Sequence, residues 1–369
     1  MKKLLLVGVL LALVLACLMP VYAVTDSGEY NENIHWELEN GALTLSGSGV
    51  IQGNIPWEAY KGEITRLSIG VNITEISDAA LSGYSKLTAF EVAEGHPTYT
   101  SENGILFNKD KTTLHKAPAT LTTYEIPASV TYIRWNAFEG CAALTQITFP
   151  ADLEQIGEYA FSGCSSLAAV TFPEKLEVIA DGAFENCAKL TQIVLPKTTE
   201  DLGKDVFSGC TALTTVTLQG NLTNIRKHLF HGCENLTAVV IPEGVTQIGD
   251  GAFSGCKKLT RVDLPLSIAS ISGSAFENTA LKEVFYAGSA ETWKAVKTGE
   301  DEVLKEAAFT FAIVEQPQEE DEGSGAIILI VLIVVALGAA VAIVVITEKQ
   351  RRAREAAKRK RKMKKLDLS

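Results

Sequence analysis

The chain has 369 residues, of which 47% are hydrophobic and 21% are charged, and its formal net charge is −11. This hydrophobic content excludes a disordered chain and is sufficient to bury a sizeable core. The hydrophobic residues are unevenly placed, because two uncharged apolar blocks lie near the two ends of the chain.

The first apolar block has the pattern of a secretory signal. Lys2 and Lys3 precede an apolar run over residues 4–18, and the small residue Ala23 offers a cleavage site. We therefore expect residues 1–23 to be a signal peptide. The segment that ends at Cys17 also resembles a lipoprotein box, so lipidation of Cys17 remains an alternative to cleavage after Ala23.

The second apolar block, residues 326–346, predicts a transmembrane helix. It has 21 residues without a charge or a proline, which matches the length that crosses a hydrocarbon core; the alternative is a buried core helix. An acidic linker, residues 314–325, precedes it, and a basic tail, residues 347–369, follows with eleven Lys or Arg. Because Lys and Arg are enriched on the cytoplasmic side, we predict a single-pass protein of the cell membrane. Its N-terminal domain is extracellular, and its cytoplasmic tail contacts anionic lipid headgroups.

The part of the chain between these two ends is strongly acidic. The tail contributes a charge of +8 and the signal peptide +2, which leaves −21 for the exported residues. A domain with this charge repels phosphate groups. The charge therefore argues against nucleic acid as a partner.

A repeat of 23 residues occupies the middle of the chain. Each copy has an aliphatic residue, a Phe five positions later and, in six of the seven copies, a Cys three positions after the Phe. The columns are Ile133, Ile156, Ile179, Leu202, Ile225, Ile248 and Ile271; Phe138, Phe161, Phe184, Phe207, Phe230, Phe253 and Phe276; and Cys141, Cys164, Cys187, Cys210, Cys233 and Cys256. A unit this short cannot bury its own apolar side chains, whereas stacked units bury each column continuously.

The repeat predicts a solenoid with a parallel β-sheet over residues 63–288. Alternating residues such as Ile147 and Phe149 form a short strand with both side chains inward, and Pro150 ends that strand. About ten such strands stack, and 11 extra residues between two copies predict an inserted hairpin. The remaining predicted parts are an N-terminal β cap (24–62, with a hairpin from 36–38 and 42–47), the inserted hairpin (105–107 and 112–114) and a C-terminal cap (289–313, with a helix at 290–296 and a strand at 308–312).

The repeat unit resembles the BspA-like leucine-rich repeats of bacterial surface proteins, and the segment from Ile248 to Leu259 carries this pattern almost without change. The inserted segment 103–109 and the segment from Tyr286 to Trp293 are also similar to features of that family. The resemblance covers roughly residues 28–312. It implies a surface location and binding to host or neighbouring-cell proteins, without indicating one ligand.

The outward positions of the predicted strands form the candidate binding face, which is flat and largely uncharged on an acidic molecule. Solenoids offer extended binding faces of this kind, although Thr and Val are also common on any exposed strand. The candidate residues are Gln146, Thr148, Thr171, Gln192, Val194, Thr215, Thr217, Val240, Arg261 and Asp263.

No pattern in the chain indicates a cofactor or catalysis. The cysteine column lies between inward Phe and Leu columns, so we expect buried free thiols, with disulfides between coils as the alternative. His228, His231 and Cys233 are close in sequence, but the two His are outward and the Cys inward, so we expect no shared metal. The leading hypothesis is non-covalent protein binding or adhesion; a structural spacer or self-assembling scaffold is second, and an extracellular hydrolase third.

Overall fold

A computed structural model describes residues 25–219 and 221–312, and most of the strands in these residues belong to two sets that run along a stack of coils. The predicted signal peptide, acidic linker, transmembrane helix and basic tail lie outside the described residues. Within the described ranges, every helix is too short to span a bilayer.

Residues 25–116 form strands, one 3₁₀ turn and one short helix before the regular coils begin. These elements are β1 (Thr25–Asn31), β2 (Ile34–Glu39), β3 (Ala42–Ile51), a 3₁₀ turn (Glu58–Tyr60), β4 (Arg66–Ile69), β5 (Asn72–Ile76), α1 (Asp78–Leu81), β6 (Ala89–Val92), β7 (Tyr99–Glu102), β8 (Ile105–Asn108) and β9 (Thr113–Lys116).

The regular coils then alternate two kinds of short strand. The elements are β10 (Thr123–Glu125), β11 (Tyr132–Ile133), β12 (Gln146–Thr148), β13 (Gln155–Ile156), β14 (Val178–Ile179), β15 (Gln192–Val194), β16 (Asp201–Leu202), β17 (Thr215–Thr217), β18 (Asn224–Ile225), β19 (Ala238–Val240), β20 (Gln247–Ile248), β21 (Arg261–Leu264), β22 (Ser270–Ile271), β23 (Glu283–Tyr286), α2 (Ala290–Trp293), α3 (Glu302–Glu306) and β24 (Ala308–Phe311).

We call the first set the front sheet: β4, β6, β10, β12, β15, β17, β19, β21, β23 and β24. The second set, the rear ladder, comprises β9, β11, β13, β14, β16, β18, β20 and β22. Neighbouring strands within a set pair in parallel wherever they pair, with partners one coil apart, as in Gln192 with Thr215 and Gln155 with Val178. The fold is therefore a parallel β-solenoid of leucine-rich-repeat type, as the repeat predicts.

Stacked Phe rings fill the interior of the coils. The seven rings from Phe138 to Phe276 are fully buried. Consecutive ring centroids lie 4.7 Å apart at the first step and 5.8 Å apart at the step from Phe184 to Phe207. Burying a side chain of this kind contributes about 1.5–3 kcal/mol. The backbone adds a second link between coils, because the N–H of Phe138 donates to the carbonyl of Ala160 at 2.7 Å.

One predicted strand is missing from the front sheet. Residues 168–172 have no strand assignment, although Phe172 is buried and Val170 packs against the core. The gap coincides with two consecutive Phe, Phe149 and Phe172, in a column that holds Leu or Ile in the next coils. Their rings stack with centroids 6.0 Å apart, so these side chains continue the core column although residues 168–172 form no strand.

The two ends of the solenoid carry the predicted elements and further ones. The predicted N-terminal hairpin is present as β2 and β3, with Trp36 opposite Leu45; β1 extends it, and β3 continues in parallel with β4. At the other end α2 is shorter than the predicted helix and β24 pairs with β23. The buried carboxylate of Asp301 links this cap to the last coil, since it accepts the N–H of Phe276 at 3.0 Å.

The inserted segment forms a three-stranded element. The predicted hairpin is present as β8 and β9, and β7 pairs with β8 on its other side. β9 also pairs in parallel with β11 and so continues the rear ladder. At the tip between β7 and β8, the carbonyl of Gly104 accepts the N–H of Phe90 at 2.9 Å. The tip therefore continues the front sheet beyond β6.

We expect Phe207→Ala to lower the free energy of unfolding by about 3–5 kcal/mol, because it opens a cavity in the middle of the ring stack. Val194→Ala, which shortens a half-exposed side chain in the preceding coil, is the control and should change the stability by about 0.5 kcal/mol or less. Urea denaturation followed by circular dichroism measures both. Equal effects of the two changes would contradict a ring stack that holds the coils together.

Candidate functional site

The outward side chains of the front sheet, which we call the front face, lie in register on parallel strands. Seven of the ten predicted residues are exposed, two are half-buried and one is buried. The exposed residues are Gln146, Thr148, Thr171, Gln192, Val194, Thr215 and Val240; Thr217 and Arg261 are half-buried, and Asp263 is buried. The structure thus brings nine of the ten to one accessible surface.

Asp263 differs from its predicted position on the exposed face. Only 6% of the residue is exposed, and its carboxylate accepts hydrogen bonds from Nε and an Nη of Arg261 at 2.7 and 3.2 Å. These bonds raise the pKa of the Arg261 guanidinium. Asp263 also stands opposite Phe285 of the next strand. The carboxylate is therefore satisfied inside the protein and is not available to a ligand. The alternation of residues along a strand predicts which face a side chain lies on, but it does not predict how exposed that side chain is.

A row of threonines beside the front face stiffens it. The hydroxyl of Thr145 donates to the carbonyl of Thr122 one coil earlier at 3.0 Å, and Thr214 donates in the same way to Thr191 at 3.1 Å. By contrast, the side chains of Gln146 and Gln192 make no hydrogen bond within the described residues. The threonine hydrogen bonds hold neighbouring coils together beside the face, whereas the amides of Gln146 and Gln192 remain available to a partner.

The inserted segment adds a wall that the sequence did not place. Its tip residues Glu102 and Asn103 and the front-face residues Glu125, Gln146 and Thr148 line an open cavity of about 610 Å³, the corner cavity. The extra 11 residues predict an insertion, but no pattern in the sequence indicates which strands its tip approaches. Glu125 and Thr123, which belong to the same surface, precede the first regular copy of the repeat and were not predicted as site residues.

Tyr124 is an unpaired polar group beside this wall. Its hydroxyl is buried and has no hydrogen-bond partner in the described part of the chain. Burial raises the pKa of Tyr124 to about 12, with a further contribution from the charge of Glu102. Glu102 itself forms an ion pair with Lys111. The neutral Tyr124 hydroxyl therefore keeps both its donor and its acceptor capacity next to the corner cavity.

The cysteine column is structural. All six cysteines in the described residues are free and buried, as predicted, and the thiol of Cys164 donates to the carbonyl of Phe138 in the preceding coil at 3.2 Å. The next four cysteines repeat this bond at 3.1–3.3 Å. Burial raises the pKa of Cys141 and Cys210 to about 12. A neutral, enclosed thiol is neither a nucleophile nor a metal ligand.

His228 and His231 lie on the surface near this column. The two ring centroids are 5.2 Å apart, and Nδ1 of His228 lies 3.1 Å from a carboxylate oxygen of Asp205. The thiol of Cys233 is instead buried and donates to the carbonyl of Phe207 at 3.2 Å. Within residues 25–219 and 221–312, no three His, Cys, Asp or Glu side chains are arranged to hold a metal ion.

Comparison with known proteins identifies the family. The model of the BspA-type leucine-rich-repeat region matches residues 111–236 and 177–295 in six copies, which together span half of the chain. The chain therefore belongs to the BspA-type leucine-rich-repeat proteins, a family of repeat scaffolds found at bacterial surfaces, and the match indicates no catalytic family.

Several solved structures are similar to this chain. A leucine-rich repeat protein from Eubacterium ventriosum is 20% identical, with a TM-score of 0.46, 81% of this chain covered and 98% of the other. A leucine-rich cell surface protein from Faecalibacterium prausnitzii is 22% identical (TM-score 0.37; 74% and 97% covered). A leucine-rich repeat protein from T. pallidum is 24% identical (TM-score 0.39; 65% and 90% covered). A comparison with curated proteins gives no match.

We expect the six buried thiols to resist iodoacetamide in the folded protein at about pH 8 and to react fully in concentrated urea. Burial raises the pKa of Cys141 from 9.0 to about 12, so the folded thiol stays neutral while an unfolded thiol ionises above about pH 9. The stability from burying the neutral thiols is complete below pH 9 and is lost as the pH rises toward 12. Mass spectrometry of the Cys17→Ala chain counts the labelled sites; stoichiometric labelling without urea would contradict the buried column.

Proposed function

We propose that this protein is a single-span surface protein that binds a protein partner non-covalently through its front face. Residues 1–23 direct export, residues 326–346 anchor the chain, and the acidic residues 314–325 separate the solenoid from the membrane. The basic tail stays in the cytoplasm beside anionic lipid headgroups. The repeat family supports a surface location, and the sequence pattern supports the anchor.

One observation carries the binding part of the proposal. The front face presents uncharged side chains in register over several coils, and two of them are apolar and well exposed, Val194 at 50% and Val240 at 44%. Protein interfaces are formed by surfaces with few charges at their centre. The exported part has a charge of −21 by sequence, so a patch with few charges stands out against its surroundings.

The corner cavity makes the part of the face beside β10 different from the rest. The front face is open along most of its length, whereas the insertion closes it beside β10 with Glu102 and Asn103. A partner on the part of the face from β10 onward therefore meets a polar wall at the β10 end, with the carboxylate of Glu125 and the amide of Gln146 available for hydrogen bonds. The flat part of the face provides contact area, and the wall determines where along the face the partner binds.

The end strands favour a second candidate function, self-assembly. Within the described residues, β1 pairs only with β2 and β24 pairs only with β23, so each presents an unpaired edge. Such edges are templates for pairing with another chain. Light scattering of the exported fragment separates the two functions: self-assembly predicts a mass that rises with concentration, and the binding proposal predicts a constant mass.

We expect the triple change Thr171→Glu, Thr217→Glu and Val240→Glu to reduce adhesion by about tenfold or more, because buried charges without partners are costly at an interface. Cells that display the full-length protein would be measured on a panel of immobilised extracellular-matrix and bacterial surface proteins. Antibody staining of intact cells must show equal display.

The matched control places the same three charges on the rear ladder, as Asn224→Glu, Gln247→Glu and Ser270→Glu. It changes the net charge equally and should leave adhesion unchanged. Adhesion that survives the front-face change would exclude the front face as the binding site, and equal loss in both variants would assign adhesion to overall charge.

A further inference from the structure

The rear ladder contains an aromatic pocket at a single coil. The repeat provides its own reference, because each outward position has six counterparts one coil apart. Position 135 is Trp, whereas the counterparts are Glu158, Asp181, Lys204, Lys227, Asp250 and Gly273; position 132 is Tyr, whereas the counterparts are Gln155, Val178, Asp201, Asn224, Gln247 and Ser270. Both departures place an aromatic ring where the other copies have polar or small residues.

Trp135 is unusual in its exposure. It is 39% exposed, whereas Trp36 and Trp57 are buried and Trp293 is half-buried. An exposed indole contributes little to the stability of a coil, since none of its counterparts needs an apolar side chain. Its position therefore indicates a surface that meets a ligand.

A cavity of about 370 Å³, the rear pocket, lies against these two rings. Gln155 lies opposite Tyr132 on the adjoining strand of the rear ladder, and Val178 lies opposite Gln155 on the strand after that. Both residues line the pocket together with Glu158. Gly157 lets its coil approach the preceding coil closely beside the pocket, because a Cβ there would lie 2.6 Å from the backbone nitrogen of Trp135. The side chains of Gln155 and Glu158 make no hydrogen bond in the part of the chain that the structure describes. The pocket thus combines an aromatic wall with an unused amide and an unused carboxylate.

Arg134 determines which ligands suit the indole. Its guanidinium carbon lies 3.9 Å from the ring centroid of Trp135, and the group is held by Nδ1 of His115 at 2.9 Å and by Asp78 at 3.8 Å. One face of the indole is therefore already covered by a fixed cation. A second cation, such as a quaternary ammonium group, would meet that charge across the ring, which opposes the cation–π attraction used by aromatic cages.

We propose that the rear pocket binds a pyranose ring of an uncharged glycan. One side of a pyranose is lined with C–H groups and stacks on the free face of Trp135, while its hydroxyls bond to Gln155 and Glu158. The volume of about 370 Å³ accommodates one sugar ring in an open groove, whose lining combines aromatic rings with a few polar groups. The site lies on the rear ladder, so it is independent of the protein-binding front face.

The test uses the full chain, purified in a zwitterionic detergent without a sugar head group. Maltotriose, cellotriose and the trimer of N-acetylglucosamine would be titrated, and binding measured by calorimetry and by ligand-detected NMR. Trp135 is the most exposed of the four Trp, so a saturable change in tryptophan emission reports its contact. We expect at least one trimer to bind with a Kd below about 10 mM.

We expect Trp135→Ala to weaken that binding by about tenfold and Gln155→Ala by about fivefold, whereas Trp135→Phe, which keeps a ring, loses less. Leu266→Ala is the matched control, because it shortens a side chain that is 54% exposed outside the pocket. The front-face triple variant should also bind the sugar normally. Circular dichroism would verify that every variant is folded.

Three outcomes would overturn the glycan site. They are the absence of binding by all three trimers at about 10 mM, unchanged binding by folded Trp135→Ala, and tighter binding of tetramethylammonium than of any sugar. Each outcome leaves the front-face proposal untouched, because that proposal is measured on protein coats with changes at other residues.

Discussion

Each coil of this solenoid completes the packing and the hydrogen bonding of the coil before it, and this requires coils of equal length. The carbonyl of Phe138 accepts the N–H of Cys141 in its own coil at 3.0 Å and the thiol of Cys164 in the next coil at 3.2 Å. One residue more or fewer within a coil would shift its polar residues into this buried column. Burial of apolar surface is the dominant favourable term in folding, so the packing of the interior determines the length of the repeat.

Because the interior must repeat, the specificity of ligand binding depends on the surface residues. The interior positions repeat from coil to coil, and they cannot distinguish one partner from another. The inserted segment that walls the corner cavity and the aromatic pair Tyr132 and Trp135 break the repeat without entering the ring stack. Because solenoid stability is largely a sum over neighbouring coils, such local departures are tolerated. The two sites that we propose, the front face and the rear pocket, therefore lie on different sets of strands of one scaffold.

Three expectations from the sequence differ in the structure: the exposure of Asp263, the strand at residues 168–172 and the length of the C-terminal helix, which is Ala290–Trp293. Alternation predicts which side chains point outward, but Asp263 turns back to Arg261 and is covered beside β23. The repeat also predicts a strand at residues 168–172, where Phe149 and Phe172 follow each other in one column. For Asp263 the contacts with Arg261 and with the next strand decide the exposure, and the alternation within one coil does not contain that information.

The sequence by itself determined the solenoid, its parallel strands, the buried Phe and Cys columns and the family, because a period of 23 residues with inward apolar positions has one way to bury them. Only the tertiary structure decided where the inserted tip lies against the front sheet, how the guanidinium of Arg134 covers Trp135 and which outward residues remain exposed. These features depend on contacts between different coils and between the insertion and the coils. The 23-residue period predicts which columns are buried, because only inward positions repeat as apolar residues. The position of an exposed side chain depends instead on neighbours that are distant in the sequence.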